Sequence, residues 1–115
     1  MSDYPKLTEA ISKQVGNLRK DIPETMKGFS EMAKGAEADG ALGTKTKELI
    51  AMGIAIALRC DGCIGFHTKS LVKMAVTRQE FEEMLGVAIY MGGGPSLMYA
   101  AQALDAWEQF GGAKD

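Results

Sequence analysis

A chain of 115 residues, 46% apolar and 24% charged, is long enough for one hydrophobic core and too short for two, so a single domain spanning 1–115 is expected. Its formal net charge of −2 supplies no basic field for nucleic acid and no polybasic patch for an anionic membrane. The opening MSDYPKLTEA has no basic stretch leading into an apolar run, and no apolar run approaches a membrane span, so a cytoplasmic protein is expected.

From Pro5 to about Lys20, Leu7, Ile11, Val15 and Leu18 form one apolar stripe and predict a first helix. Pro23 suits the first turn of a second, in which Ile22, Met26, Phe29, Met32 and Ala36 recur every three or four residues to about Ala38, with Gly40 as its end. Neither helix carries a ligand-like cluster; both read as packing and oligomerisation elements. Thr44 or Thr46 is the expected cap of a third helix, whose body LIAMGIAIAL is apolar on every side. Such a helix must be covered all round, and a domain this small has few helices to do it. Partner subunits are the expected source of the missing cover.

The next segment, to about Val76, has an inward stripe of Cys60, Cys63 or Ile64, His67, Leu71 and Met74. Thr77 and Glu80 are spaced as a capping box, which starts a helix burying Phe81, Met84, Leu85 and Ala88. Gly92, Gly93 and Gly94 break the chain, and Pro95 opens a last helix with Leu97, Ala101, Leu104 and Trp107 on its stripe. No alternation of period two is convincing. The fold class is therefore all-α, about six helices around one core.

The chemistry concentrates between Glu48 and His67, in the pattern E-x(11)-C-x-x-C-x-x-x-H. On a helix beginning near Asp61, Cys60 and Cys63 lie about 60° apart around the axis and Cys63 and His67 about 40°, so all three project from one side. Cysteines three apart on such a turn have Cα atoms roughly 5 Å apart, within disulfide reach. The helix start favours a negative sulfur, Cys60 most of all, and an imidazole one turn on can take up or return a proton. Only a tight helical hairpin could bring Glu48 to this cluster.

These residues carry a resemblance. KTKELIAMGIAIALRC through DGCIGFH, followed by GGGPSLMYAAQALDAWEQF, resembles the alkylhydroperoxidase D-like (AhpD-like) branch of the carboxymuconolactone decarboxylase family over roughly the C-terminal two-thirds of the chain. The resemblance implies a thiol-dependent peroxidase or disulfide oxidoreductase acting on hydrogen peroxide or small organic hydroperoxides. It implies that Cys63 attacks peroxide, Cys60 resolves, Glu48 and His67 relay protons, and an external dithiol restores the pair. No cofactor is implied, and the assembly implied is a homo-oligomer, a trimer or hexamer. Between the cysteines stand Asp61 and Gly62, where some peroxidase members carry a histidine.

Other readings compete. Both cysteines could be small core residues, His67 a satisfied core histidine and Glu48 a surface carboxylate beside Lys45 and Lys47. Two cysteines, His67 and Glu48 would number four zinc ligands, but structural zinc sites seldom use a glutamate and usually draw on two separate knuckles. Haem attachment needs the histidine directly after the second cysteine. A lactone-acid decarboxylase has no evident use for a thiol pair and would want cations, of which only Arg59 is near in sequence. A redox-sensing module without turnover is the alternative from a different class.

Overall fold

The computed structural model describes residues 1–114, in which six helices and no strand occur: α1 Tyr4–Asp21, α2 Pro23–Glu37, α3 Thr44–Leu58, α4 Asp61–Lys73, α5 Arg78–Gly92 and α6 Gly94–Gln109. The all-α expectation holds. Two antiparallel hairpins, α3–α4 and α5–α6, pack on each other, α1 lies across α4, and α2 runs along the outside against α1 and α3. Among the described residues, no helix is long and apolar enough to cross a membrane.

At the centre, the Trp107 and Phe81 rings meet at a centroid distance of 4.6 Å, surrounded by Met52, Ile56, Ile64 and Leu71. Facing them, α6 presents Ala100, Ala103 and Ala106; of the expected stripe only Trp107 is buried. Leu97 and Ala101 are exposed and Leu104 is half-buried. Alanines let α6 come close to its neighbours, so the small side chains take the inside and the leucines the rim.

Three helix ends share one backbone device. Cys60 N–H donates to the Ala55 carbonyl, Val76 N–H to Leu71 and Gly112 N–H to Trp107, each five residues back, across a left-handed residue at Arg59, Ala75 and Gly111 respectively. Only the last is a glycine. The second device ends α4 at Lys73, short of the expected Val76, and leaves Met74 as its cap.

Other expectations need correction. Neither Thr44 nor Thr46 caps α3; Gly43 holds that position, and Thr44, the first helical residue, donates through N–H and Oγ1 to Asp39 Oδ1. In α2 none of the fifteen residues is buried, and Phe29 and Met32 are 60% and 63% exposed. The outer face of α3 is likewise bare, with Ile50, Ile54 and Leu58 between 48% and 71% exposed. In α1, Tyr4 and Thr8 are the buried pair, while Leu7, Ile11 and Val15 are half-buried and Leu18 is exposed. The capping box of Thr77 and Glu80 forms as read.

Candidate active site

Two residues separate α3 from α4. Arg59 takes the left-handed conformation (φ 57°, ψ 43°) that reverses the chain, and Cys60, extended, is the N-cap of α4. A reversal this tight lays the N-terminal half of α3 beside the middle of α4. It is the hairpin on which the placement of Glu48 depends.

Cys60 Sγ occupies the place a serine hydroxyl would take in an N-cap and accepts a hydrogen bond from Cys63 N–H at 3.1 Å. The two cysteines form a disulfide, with Cα atoms 5.2 Å apart. That separation agrees with the spacing expected of adjacent helical positions. The donor N–H and the helix terminus both point at Cys60 Sγ, so the local field favours negative charge there when the bond is open.

His67 stands one turn beyond Cys63, and its Nδ1 donates to Glu48 Oε1. Glu48 is the one buried charged residue among those described, 4% exposed in the second turn of α3, although Lys45 and Lys47 beside it are exposed or half-buried. A carboxylate taken out of water is costly unless it is paired, and His67 is the partner it has. The hydrogen bond to Glu48 raises the His67 pKa above its ordinary 6.5; burial works against this, and the negative charges of Glu48 and Glu37 add to the rise. The imidazolium form therefore persists further towards neutral pH, one turn from the Cys63 sulfur. Next to the pair, Thr68 Oγ1 donates to Met52 Sδ at 3.6 Å, a buried contact that ties α4 to α3.

The fold thus brings all four predicted residues to one hairpin: the cysteines bonded to each other, the histidine and glutamate bonded to each other. They lie on the boundary of the packed face rather than within it, since both cysteines and His67 are half-buried. Buried positions of α4 are Ile64, Gly65, Thr68 and Leu71, so the expected inward stripe is rotated away from the sulfurs. Glu37, at the end of α2, contributes to the site's electrostatics without any sequence spacing that announces it.

With this geometry established, comparison with known proteins locates the chain. The profile of the carboxymuconolactone decarboxylase family matches residues 23–106. An uncharacterized protein of Cupriavidus necator is 42% identical over 99 residues, covering 86% of this chain and 87% of that one. A protein of Paracoccus denitrificans, described as uncharacterized protein 4 in the cox locus, is 34% identical over 85 residues, 74% and 77% of the two chains. Among solved structures, the apo form of a carboxymuconolactone decarboxylase family protein from Legionella pneumophila is 57% identical. It superposes with a TM-score of 0.93 over 95% of this chain and 98% of the other.

Proposed function

Because the chain belongs to the carboxymuconolactone decarboxylase family, we propose that it is one of the family's disulfide-cycling enzymes, a thiol-dependent peroxidase of the AhpD-like type acting on hydrogen peroxide or small organic hydroperoxides. The observation that carries this reading is the buried Glu48 bonded to His67 one turn from a disulfide-forming pair. A structural staple has no need of a buried acid–base couple.

The steps are as follows. Cys63 thiolate attacks the terminal peroxide oxygen, the O–O bond breaks, and the departing alkoxide or hydroxide takes a proton delivered through His67. Cys63 is then a sulfenic acid. Cys60 sulfur attacks it, water leaves, and the disulfide forms. An external dithiol supplies two electrons: its thiolate attacks Cys63 sulfur, Cys60 leaves as thiolate, and the second external thiol completes the exchange. The hydrogen bond from Cys63 N–H to Cys60 Sγ supports this direction, because a stabilised thiolate is the better leaving group. Recycling by a dithiol suits a reducing compartment such as the cytosol.

Self-association completes the proposal. The apolar outer faces of α3 and α5, carrying Ile50, Ile54, Val87 and Met91, line a cavity of about 430 Å³, and further copies of the chain are the expected cover, as a trimer or hexamer. The catalytic assignment is tested by two variants under peroxide, the first with a dithiol present. Cys63→Ser is expected to abolish turnover; Cys60→Ser, treated with peroxide after the dithiol has been removed, is expected to accumulate a sulfenic acid on Cys63 that dimedone traps. Full turnover by Cys63→Ser overturns the assignment.

A further inference from the structure

The helix that precedes the matched residues 23–106 makes contact with the redox turn itself. Gly62 lies between the two cysteines, and a Cβ placed on it would stand 2.8 Å from Ile11 Cδ1 of α1. One turn on, a Cβ on Gly65 would stand 2.7 Å from Thr8 Cγ2 and 3.4 Å from Tyr4 Cδ1. At about 100° per residue, Gly62 and Gly65 share one flank of α4, and Cys63 and His67 lie on the other. So α1 does not shield the sulfurs. It backs the turn from behind.

The contact end of α1 is firmly held. Asp3 caps it by accepting from Lys6 N–H, Tyr4 N–H donates to Gln109 Oε1 at 2.7 Å, and Gln109 Nε2 donates back to the Ser2 carbonyl at 2.8 Å. Tyr4 is fully buried, and Thr8 Oγ1 donates to the Tyr4 carbonyl. Ile11 is thus carried on a strut bolted to α6.

We infer that Ile11 is a positioning residue for the redox pair: by filling the space behind Gly62 it keeps the opened cysteines near the 5.2 Å Cα separation of the disulfide, and so favours reclosure. A bond spanning three residues closes a tiny loop, so its equilibrium is governed less by chain entropy than by how closely the separated sulfurs are held. While the bond is intact, it supplies that restraint. Once two external thiols have reduced it, the packing behind the turn is what remains. This role rests on the reading of Cys60 and Cys63 as a cycling pair, but not on peroxide being the oxidant.

The test is the equilibrium of the full-length protein with reduced and oxidised glutathione, in which two glutathione thiols are oxidised to one glutathione disulfide for each protein disulfide opened. Ile11→Ala is expected to shift the constant about fivefold towards the dithiol, equivalent to about 20 mV less negative. Ile11→Val, which loses only the Cδ1 methyl, is expected to shift it the same way by less and decides the matter if the alanine variant does not fold. Leu7→Ala, on the same helix and packed on the core instead of on the turn, is expected to lower the thermal midpoint and leave the constant unchanged. An unmoved constant in the folded Ile11 variants, or an equal shift in Leu7→Ala, overturns the inference. A protein that shows these shifts yet never turns over hydroperoxide overturns the peroxidase reading alone.

Discussion

The α3–α4 hairpin and helix α2 are of similar length per helix and both carry apolar residues at helical spacing, yet one chain treats them oppositely. In α4, four of thirteen residues are buried; in α2, none of fifteen is. Around its chemistry the hairpin is finished within a single chain, although the outer face of α3 is not: its reversal is fixed by backbone hydrogen bonds, its one buried carboxylate is paired, and α1 supports it from behind. The outer surface, α2 together with the bare faces of α3 and α5, is an amphipathic pattern without an intramolecular partner. Periodicity therefore says which side of a helix seeks cover, and not whether the same chain provides it.

If the hairpin is the complete and chemical region, its buried pair should be the most sensitive place in the molecule. Glu48→Gln keeps the shape and a hydrogen bond to His67 but removes the charge, and peroxide turnover is expected to fall about 10²-fold or more. Steady-state rates at neutral pH check this. Wild-type turnover in that variant would reduce the pair to packing.

The outer surface offers the converse perturbation. Ile54→Asp places a carboxylate in the apolar groove between α3 and α5 without touching the hairpin's hydrogen bonds. If copies of the chain cover that groove, burying an unpaired charge there weakens association by about 10²-fold or more, and light scattering will show mass shifting towards the single chain. Unchanged mass would leave the groove without a partner copy.

A third measurement separates the regions by pH. Since the folded state raises the His67 pKa, protonation favours the folded form: that contribution is complete below the ordinary imidazole value of 6.5 and is lost as pH rises through the raised value. Urea midpoints of the wild type are expected to decline over that interval relative to those of His67→Gln. Parallel profiles would mean that the Glu48 contact does not perturb the imidazole.

Much of the site was legible because Cys60, Cys63 and His67 sit on a single helix, where spacing alone sets geometry. Glu48 was legible only as a hypothesis: its burial depends on the Arg59 reversal, and nothing in Leu58-Arg59-Cys60 announces a left-handed residue that is not glycine. In α6 the stripe of Leu97, Ala101, Leu104 and Trp107 is right at Trp107 alone, because close packing of helices puts Ala100, Ala103 and Ala106 inside. Thr44 looked like a cap, but Asp39, five residues earlier and outside any helical register, accepts its N–H. The six-helix plan survived these errors because it rests on stripes, breaks and the Thr77 capping box together.

The two strained reversals allow the smallest test. Ala75 and Arg59 share the left-handed conformation, but only Arg59 adjoins the chemistry. Ala75→Gly is expected to stabilise the fold by up to about 1 kcal/mol, reduced by glycine's greater freedom when unfolded, with turnover unchanged. A loss of stability on urea unfolding would contradict the strain at that residue.

The central claim is that opening and closing the Cys60–Cys63 bond is a catalytic cycle. The most direct measurement is hydroperoxide consumption by the wild-type protein under excess dithiol, followed well past one equivalent. Continued consumption at a steady rate is the predicted result. A single burst that stops at one peroxide per chain, with the disulfide formed and the dithiol still in excess, would contradict it and leave a redox sensor in place of an enzyme.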